Sequence, residues 1–111
     1  MTDRSAVVAG PDDDALGDEL ESLGVRVARV EGTATASSLE AAGIDDAALY
    51  VLTDHEEATS VAVAKERNPD VRAVVYADGS LPEYARGQVD LAVDPALLSP
   101  DVVADELVDD R

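Results

Sequence analysis

The feature that most constrains the fold is a strand, helix, strand unit that runs from Ala47 to Tyr76. Two largely apolar runs, 48–52 and 71–76, enclose a helical segment that Asn68-Pro69-Asp70 terminates. Continuous apolar runs of this length are typical of strands buried on both faces. A helix of about three turns between two such strands makes them parallel neighbours. The unit therefore predicts an α/β protein built on a parallel sheet.

The rest of the sequence extends this unit to five strands that alternate with five helices. The predicted strands are 5–9, 25–30, 48–52, 71–76 and 91–93. Right-handed crossovers then give the strand order 2-1-3-4-5 in a doubly wound, Rossmann-like or flavodoxin-like three-layer sandwich. Since 111 residues without a linker or repeat suit one hydrophobic core, we expect residues 1–111 to form a single domain.

Composition narrows the function classes. The chain carries 25 acidic and 8 basic residues, a formal net charge of −17, and no cysteine. Disulfides and thiolate metal sites are therefore excluded, and the scattered arginines argue against nucleic-acid binding. The acidic surface, with Lys65 as the single lysine, resembles that of proteins from salt-loving archaea. No apolar run approaches the roughly 20 residues of a membrane span, and a signal-peptide pattern is missing, so we expect a cytoplasmic protein without membrane insertion.

The predicted topology also places a site. Ligands of doubly wound sheets bind beyond the carboxyl ends of the strands, where the winding reverses. Here that point lies between the first and third strands, so loops 10–14 and 53–57 should face each other across a crevice. We expect any small ligand to bind there.

Four segments carry a resemblance to a known family. They are Glu31-Gly32-Thr33-Ala34-Thr35, Leu39 to Ala47, Val51-Leu52-Thr53 and Asn68-Pro69-Asp70-Val71-Arg72. With them the chain resembles, from Gly24 onwards, the nucleotide-binding domain of potassium-transport regulators, the TrkA-N or RCK family. The resemblance implies a non-enzymatic regulatory module that binds NAD(H) or an adenine nucleotide and that forms a homodimer or contacts a transporter or other regulatory partner. The implied contacts are Gly10, Glu31, Thr53, Asp54 and Thr59.

The first loop differs from the family's G-x-G-x-x-G pattern. It reads Gly10-Pro11-Asp12-Asp13-Asp14, where proline lacks an N–H donor and three carboxylates would repel a pyrophosphate. The phosphate loop is therefore degenerate. The chain is also similar to short acidic haloarchaeal proteins that carry the name CTP synthetase, but it has neither a G-x-x-x-x-G-K loop nor a cysteine for that chemistry.

The acidic residues support a second interpretation. Asp12, Asp13 and Asp54 follow adjacent predicted strands, in the arrangement that receiver domains use to hold Mg²⁺ while one aspartate accepts a phosphoryl group. No lysine follows a later strand, and the last strand ends at Asp94. The alternative role of Asp12, Asp13 and Asp14 is to cap the following helix and to compensate its dipole.

Two further interpretations remain open. Ala58, Ala62 and Ala64 could pack a twin domain in a ligand-free oligomerising or partner-binding scaffold, or they could pack against the sheet. His55 adjoins Asp54 and could act as a general base. The competing interpretation is that Thr53 or Asp54 caps the helix that follows.

Overall fold

A computed structural model describes residues 4–30, 32–77 and 83–109. Its five strands form a parallel sheet in the order β2-β1-β3-β4-β5, which confirms the predicted order. The strands are β1 (Ser5–Ala9), β2 (Arg26–Val30), β3 (Leu49–Leu52), β4 (Arg72–Tyr76) and β5 (Leu91–Val93). The doubly wound α/β class predicted from the crossover unit is therefore correct.

Helices connect successive strands, as the alternating pattern predicts. They are α1 (Leu16–Ser22), α2 (Ala36–Ala41), α3 (Thr59–Arg67), α4 (Glu83–Arg86) and α5 (Pro100–Asp109). Two 3-10 turns, Ile44–Asp46 and His55–Glu57, precede β3 and α3. The 3-10 turn before α3 lengthens the loop after β3, which is one of the two loops that the sequence places at the crevice.

The central strands are buried on both faces, which gives the molecule three layers. Tyr50 and Leu52 pack with residues of α2 and α3 on one face. Leu49 and Val51 pack with residues of α1 and α5 on the other. Successive side chains of a strand point to opposite faces, and here both directions meet helices. This is why the strands read as continuous apolar runs.

Strand register brings the loops after the strands to one edge. Ala9, the last residue of β1, pairs with Leu52, the last residue of β3. On the other side of β1, Val8 pairs with Arg29 of the edge strand β2. The exposed side chains of Arg26 and Arg29 agree with the edge position predicted for this strand. The carboxyl edge of the sheet thus gathers the loops that follow β1, β3 and β5.

Asn68 ties the central crossover together at the opposite edge. Its buried side-chain amide donates to the carbonyl oxygens of Ile44 and Ala47, each at 2.9 Å. Its side-chain oxygen accepts the N–H of Asp70 at 3.1 Å. These bonds join the end of α3 to the 3-10 turn that leads into β3. The pattern Asn-Pro-Asp therefore has a structural role in this crossover.

Candidate functional site

The carboxyl edge of the sheet holds an open crevice of about 510 Å³. It is lined by Pro11, Asp12, Asp13, Asp14, Thr53, Asp54, Glu56, Tyr76, Ala77, Asp94, Pro95 and Ala96. Six of these residues are acidic, and none is a lysine or arginine. We call this the acidic crevice. Its charge attracts cations and repels anionic ligands.

Both carboxylate oxygens of Asp12 accept hydrogen bonds from within the protein. Its Oδ1 accepts the N–H of Leu16 at 2.9 Å, and its Oδ2 accepts the N–H of Gly17 at 3.0 Å. The same Oδ2 accepts Arg29 Nη1 at 2.7 Å. The predicted capping role of the acidic loop is therefore found in Asp12, which compensates two of the unpaired N–H groups at the start of α1.

Arg29, on β2, forms an ion pair with Asp12, which lines the acidic crevice. It reaches Asp12 from β2 because Val8 and Arg29 are paired in the sheet, and its Nη2 also contacts Asp18 at 2.8 Å. The hydrogen bond with Asp12 is the main cause that raises the pKa of the guanidinium, while partial burial opposes it. A Cβ on Gly17 would lie 2.8 Å from both Nη atoms. A glycine at that position thus lets the guanidinium lie against the first turn of α1.

Gly10 and Thr53 lie in close contact where β1 and β3 end. Gly10 has a φ of +96°, and a Cβ there would lie 2.5 Å from Thr53 Oγ1. The Thr53 hydroxyl contacts the carbonyl oxygens of Ala9, at 3.2 Å, and of Pro11. The two residues are brought together as the sequence predicts. The Thr53 hydroxyl holds the end of β3 against the loop after β1.

Asp54 lies half-buried at the end of β3 and lines the acidic crevice. Its Oδ1 accepts the N–H of Glu56 at 2.9 Å, and its carbonyl accepts the N–H of Glu57 at 3.0 Å. Asp54 therefore begins the 3-10 turn His55–Glu57. The prediction that Thr53 or Asp54 caps the following helix is wrong, because the N-cap of α3 is Ala58 and it makes no side-chain cap hydrogen bond. The 3-10 turn lies between Asp54 and α3, so Asp54 starts that turn instead.

A second crevice, of about 540 Å³, lies on the β2 side of the same loop. It is lined by Gly10, Pro11, Asp12, Arg29, Val30, Gly32, Thr33, Asp54 and Glu57. Glu57 Oε1 accepts the N–H of Ala34 at 2.8 Å, which fastens the loop after β2 to the 3-10 turn. Pro11, Asp12 and Asp54 line both crevices, so the loops after β1 and β3 lie between them.

The other predicted residues are distributed as follows. Thr59 is exposed at the start of α3 and lines neither crevice. Glu31 and the side chain of His55 lie outside the described residues. Asp12, Asp13 and Asp54 all line the acidic crevice. As placed, no three Asp, Glu, His or Cys side chains in the described ranges are close enough together to hold a metal ion.

Two crevice residues gain importance from the structure. Asp94 lines the acidic crevice from the end of β5, and its Oδ1 accepts the N–H of Ala96 at 2.8 Å. Tyr76, at the end of β4, donates its hydroxyl to the Leu98 carbonyl at 2.8 Å. Burial, with smaller contributions from nearby acidic residues, raises the pKa of that hydroxyl. The sequence could have identified these residues by their positions. Tyr76 is the last residue of β4 and Asp94 directly follows β5, and the carboxyl ends of parallel strands lie at the same edge of the sheet.

The single lysine is placed away from the crevice. Lys65 Nζ donates to Asp90 Oδ2 at 2.7 Å and to the Val71 carbonyl at 2.8 Å. Asp90 and Val71 precede β5 and β4, so this ion pair lies at the amino edge of the sheet. Burial works against ionisation of Asp90, but the bonds from Lys65 and from the Ala73 N–H keep its pKa below the ordinary value.

The alanines of α3 pack mainly against the sheet. Ala58 and Ala64 are buried, whereas Ala62 is exposed. The three alanines that could pack a twin domain are therefore divided between the buried interior and the surface. Within the described residues, no helix has the length and apolarity needed to cross a membrane.

Comparison with solved structures shows a shared fold with response regulators. An orphan response regulator of H. pylori has a TM-score of 0.69 and 19% identity, with coverage of 94% of this chain and 93% of its own. A response regulator from Burkholderia pseudomallei, solved with a phosphorylated aspartic acid, a calcium ion and citrate, has a TM-score of 0.61 and 18% identity, with coverage of 96% and 71%. A protein ascribed to pilus assembly in Burkholderia thailandensis has a TM-score of 0.67 and 19% identity, with coverage of 95% of each chain.

Comparison of sequences gives a single family. A family of unknown function, DUF7126, matches residues 6–107. No curated protein sequence matches the chain.

The expected relationship to TrkA-N or RCK nucleotide-binding domains is wrong. Two of the similar solved structures are response regulators and another is ascribed to pilus assembly, and the five-stranded 2-1-3-4-5 sheet is the flavodoxin-like arrangement. The segments that suggested the relationship have structural roles here. Asn68 binds the carbonyls of Ile44 and Ala47, and Thr53 joins β3 to the loop after β1. Such contacts serve any tightly wound crossover and do not require a nucleotide.

Proposed function

Because this chain belongs to DUF7126, a family of unknown function, and shares the fold of response regulators, we propose that it is a non-enzymatic, receiver-like regulatory domain. Its ligand is a divalent cation, with Mg²⁺ as the candidate, bound in the acidic crevice. The observation that carries the proposal is the lining of that crevice, which has six acidic residues and no basic one among the residues that the structure describes.

The chemistry of the crevice suits a hard cation. Mg²⁺ and Ca²⁺ take carboxylate, carbonyl and water oxygens as ligands. Asp13 and Asp14 are exposed, so their side chains can turn towards an ion without disturbing the core. Asp54 and Asp94 line the same space from the ends of β3 and β5. Neutralisation of several carboxylates that repel one another adds to the gain on binding.

Asp12 has a positioning role in this proposal. Both of its oxygens already accept hydrogen bonds from the start of α1, and one also accepts a bond from Arg29. The ligands are therefore assigned to Asp13 and Asp54, and Asp94 lines the same crevice. Asp12 keeps the loop in the conformation that presents Asp13 to the crevice.

Phosphorylation of Asp54 is a second candidate function. One similar structure, the B. pseudomallei response regulator, contains a phosphorylated aspartic acid, and Asp54 lines the crevice from the end of β3. A carboxylate oxygen of Asp54 would attack the phosphorus of an acyl phosphate, and the donor's carboxylate would leave. The new phosphoryl group would lie near Glu56 and Asp94, and none of the described lining residues is basic. The reaction would therefore depend on the bound cation to offset the added charge.

Thermal unfolding with added MgCl₂, at constant ionic strength in molar KCl, tests the proposal. A ligand at 100 times its dissociation constant stabilises by about 2.7 kcal/mol, which raises the midpoint of a domain of this size by roughly 10 °C. We expect such a rise for the wild type and a much smaller one for Asp13→Asn and Asp54→Asn. Asp46→Asn is the matched control, because Asp46 is an exposed acid in the 3-10 turn Ile44–Asp46 before β3, at the amino edge.

The outcomes separate the two candidate functions. Equal shifts in the wild type and in Asp54→Asn, or no shift with Mg²⁺ or Ca²⁺, would remove the cation site. Incubation with acetyl phosphate and Mg²⁺, followed by mass spectrometry, tests phosphorylation directly. A gain of one phosphoryl group in the wild type and none in Asp54→Asn would add phospho-acceptance to cation binding.

A further inference from the structure

Exposed apolar side chains are concentrated in one short stretch of the described chain. Among the described residues, four large hydrophobic side chains are exposed, namely Leu23, Leu97, Leu98 and Val102. Three of them lie in the loop between β5 and α5 and in the first turn of α5. Leu97 is 79% exposed, which is unusual for a leucine of a folded domain. We call Leu97, Leu98 and Val102 the apolar patch.

The backbone under the apolar patch is held in place. The Leu97 N–H donates to the Asp94 carbonyl at 2.8 Å, and the Ala96 N–H donates to Asp94 Oδ1 at 2.8 Å. The Leu98 carbonyl accepts the Tyr76 hydroxyl at 2.8 Å. Because the turn is already ordered, a partner that covers it avoids much of the entropic cost of ordering a loop.

The surroundings of the apolar patch are acidic. The sequence has no lysine or arginine from Leu91 to Asp109, and Asp101, Asp105 and Glu106 are exposed on α5. Arg4 contacts α5 at its far end, where it donates to the carbonyls of Leu107 and Val108. The surface is thus an apolar centre with a negative rim.

We propose that the apolar patch is a docking site for a basic amphipathic segment of a partner protein. Leucine-type side chains of the partner would cover Leu97, Leu98 and Val102, and its lysines or arginines would face Asp101 and Asp105. The apolar patch adjoins the acidic crevice, because Asp94 lines the crevice and its carbonyl accepts the Leu97 N–H.

The charge around the apolar patch favours a basic segment over a second copy of the chain or an anionic lipid surface. A second copy of the chain would bring another negative rim against the first, with a net charge of −17 on each molecule. Anionic lipid headgroups would be repelled by Asp101 and Asp105 in the same way. A basic segment pairs charge at the rim while it covers the apolar centre, which is the usual arrangement of a specific interface.

A fluorescent leucine-lysine peptide of helical periodicity, followed by anisotropy in about 1 M KCl and EDTA, tests this site. At that ionic strength the Debye length is roughly 3 Å, so loose attraction to the acidic surface is suppressed. We expect Leu97→Ser combined with Leu98→Ser to weaken the Kd by about tenfold or more. Leu23→Ser is the matched control, since Leu23 and Leu98 are both 41% exposed, and it should leave the Kd unchanged.

Three results would overturn the proposal. The first, measured in about 0.15 M KCl where the Debye length is about 8 Å, is equal binding of a peptide in which glutamate replaces lysine. The second is an unchanged Kd in the double serine variant, which should fold normally because the altered side chains are exposed. The third is a dimer in sedimentation that the double variant abolishes, since this would assign the patch to a second copy. EDTA keeps the result independent of cation binding, so either proposal can fail alone.

Discussion

At the scale of single residues, Gly10 is the position where backbone and packing constrain the site together. Its φ of +96° is one that side chains rarely tolerate, and Thr53 Oγ1 occupies the place of a Cβ. Gly10→Ala should lower the free energy of unfolding by about 1–3 kcal/mol, measured by denaturant titration in molar KCl. Gly43→Ala is the control, because Gly43 has a φ of +90° and open space around it. Equal losses in the two variants would show that the contact with Thr53 costs nothing.

Tyr50 gives a prediction about alkaline pH. Burial raises its pKa from 10.0 to about 12, while its hydrogen bond to Ser60 acts in the opposite direction. Because the folded pKa is raised, the stabilisation is complete below pH 10 and is lost as the pH rises through about 12. Tyr50→Phe should therefore lose less stability than the wild type between these pH values. Unfolding followed by circular dichroism checks this, and parallel curves for the two proteins would contradict it.

At the scale of elements, the start of α1 depends on a residue outside the helix. Asp12 accepts two of its first N–H groups and a bond from Arg29. Asp12→Ala should cost about 1–2 kcal/mol of unfolding free energy. Asp18→Ala is the matched control, since Asp18 contacts the same guanidinium at 2.8 Å but is 69% exposed, and we expect its effect to be below about 0.5 kcal/mol. Similar losses in both variants would mean that the ion pair, and not the helix start, carries the effect.

The same element shows what the sequence could and could not predict. An acidic loop before a helix predicted capping, but it did not select Asp12 over Asp13 or Asp14. That choice depends on Arg29, 17 residues away, and on the pairing of Val8 with Arg29 in the sheet. Local patterns identify which residue types can cap a helix. Long-range register decides which one does, and so which carboxylates stay available for a ligand.

At the scale of the whole molecule, the sequence predicted the sheet topology correctly, but the family that it suggested was wrong. Buried parallel strands must be apolar throughout, so the runs at 48–52 and 71–76 determined the sheet and its order. The segment Asn68-Pro69-Asp70 resembled a nucleotide-binding family, but its role here is structural, because Asn68 binds the carbonyls of Ile44 and Ala47 in the crossover. The crevice position followed from topology. Its acidic lining, completed by Asp94 from the far strand, needed the folded arrangement.

The stability of the whole chain should depend on the salt concentration because of its net charge. With a charge of −17, like-charge repulsion favours expansion in dilute buffer, where the Debye length is about 10 Å at 0.1 M salt and roughly 3 Å at 1 M. The thermal midpoint should therefore rise by several degrees between these KCl concentrations. A variant with Asp46→Asn, Asp70→Asn and Asp105→Asn, three exposed acids, changes the charge from −17 to −14 and should show a smaller rise. Sucrose, which acts by exclusion from the protein surface, should affect both proteins equally. Identical KCl curves for the two proteins would mean that something other than charge repulsion makes the fold depend on salt.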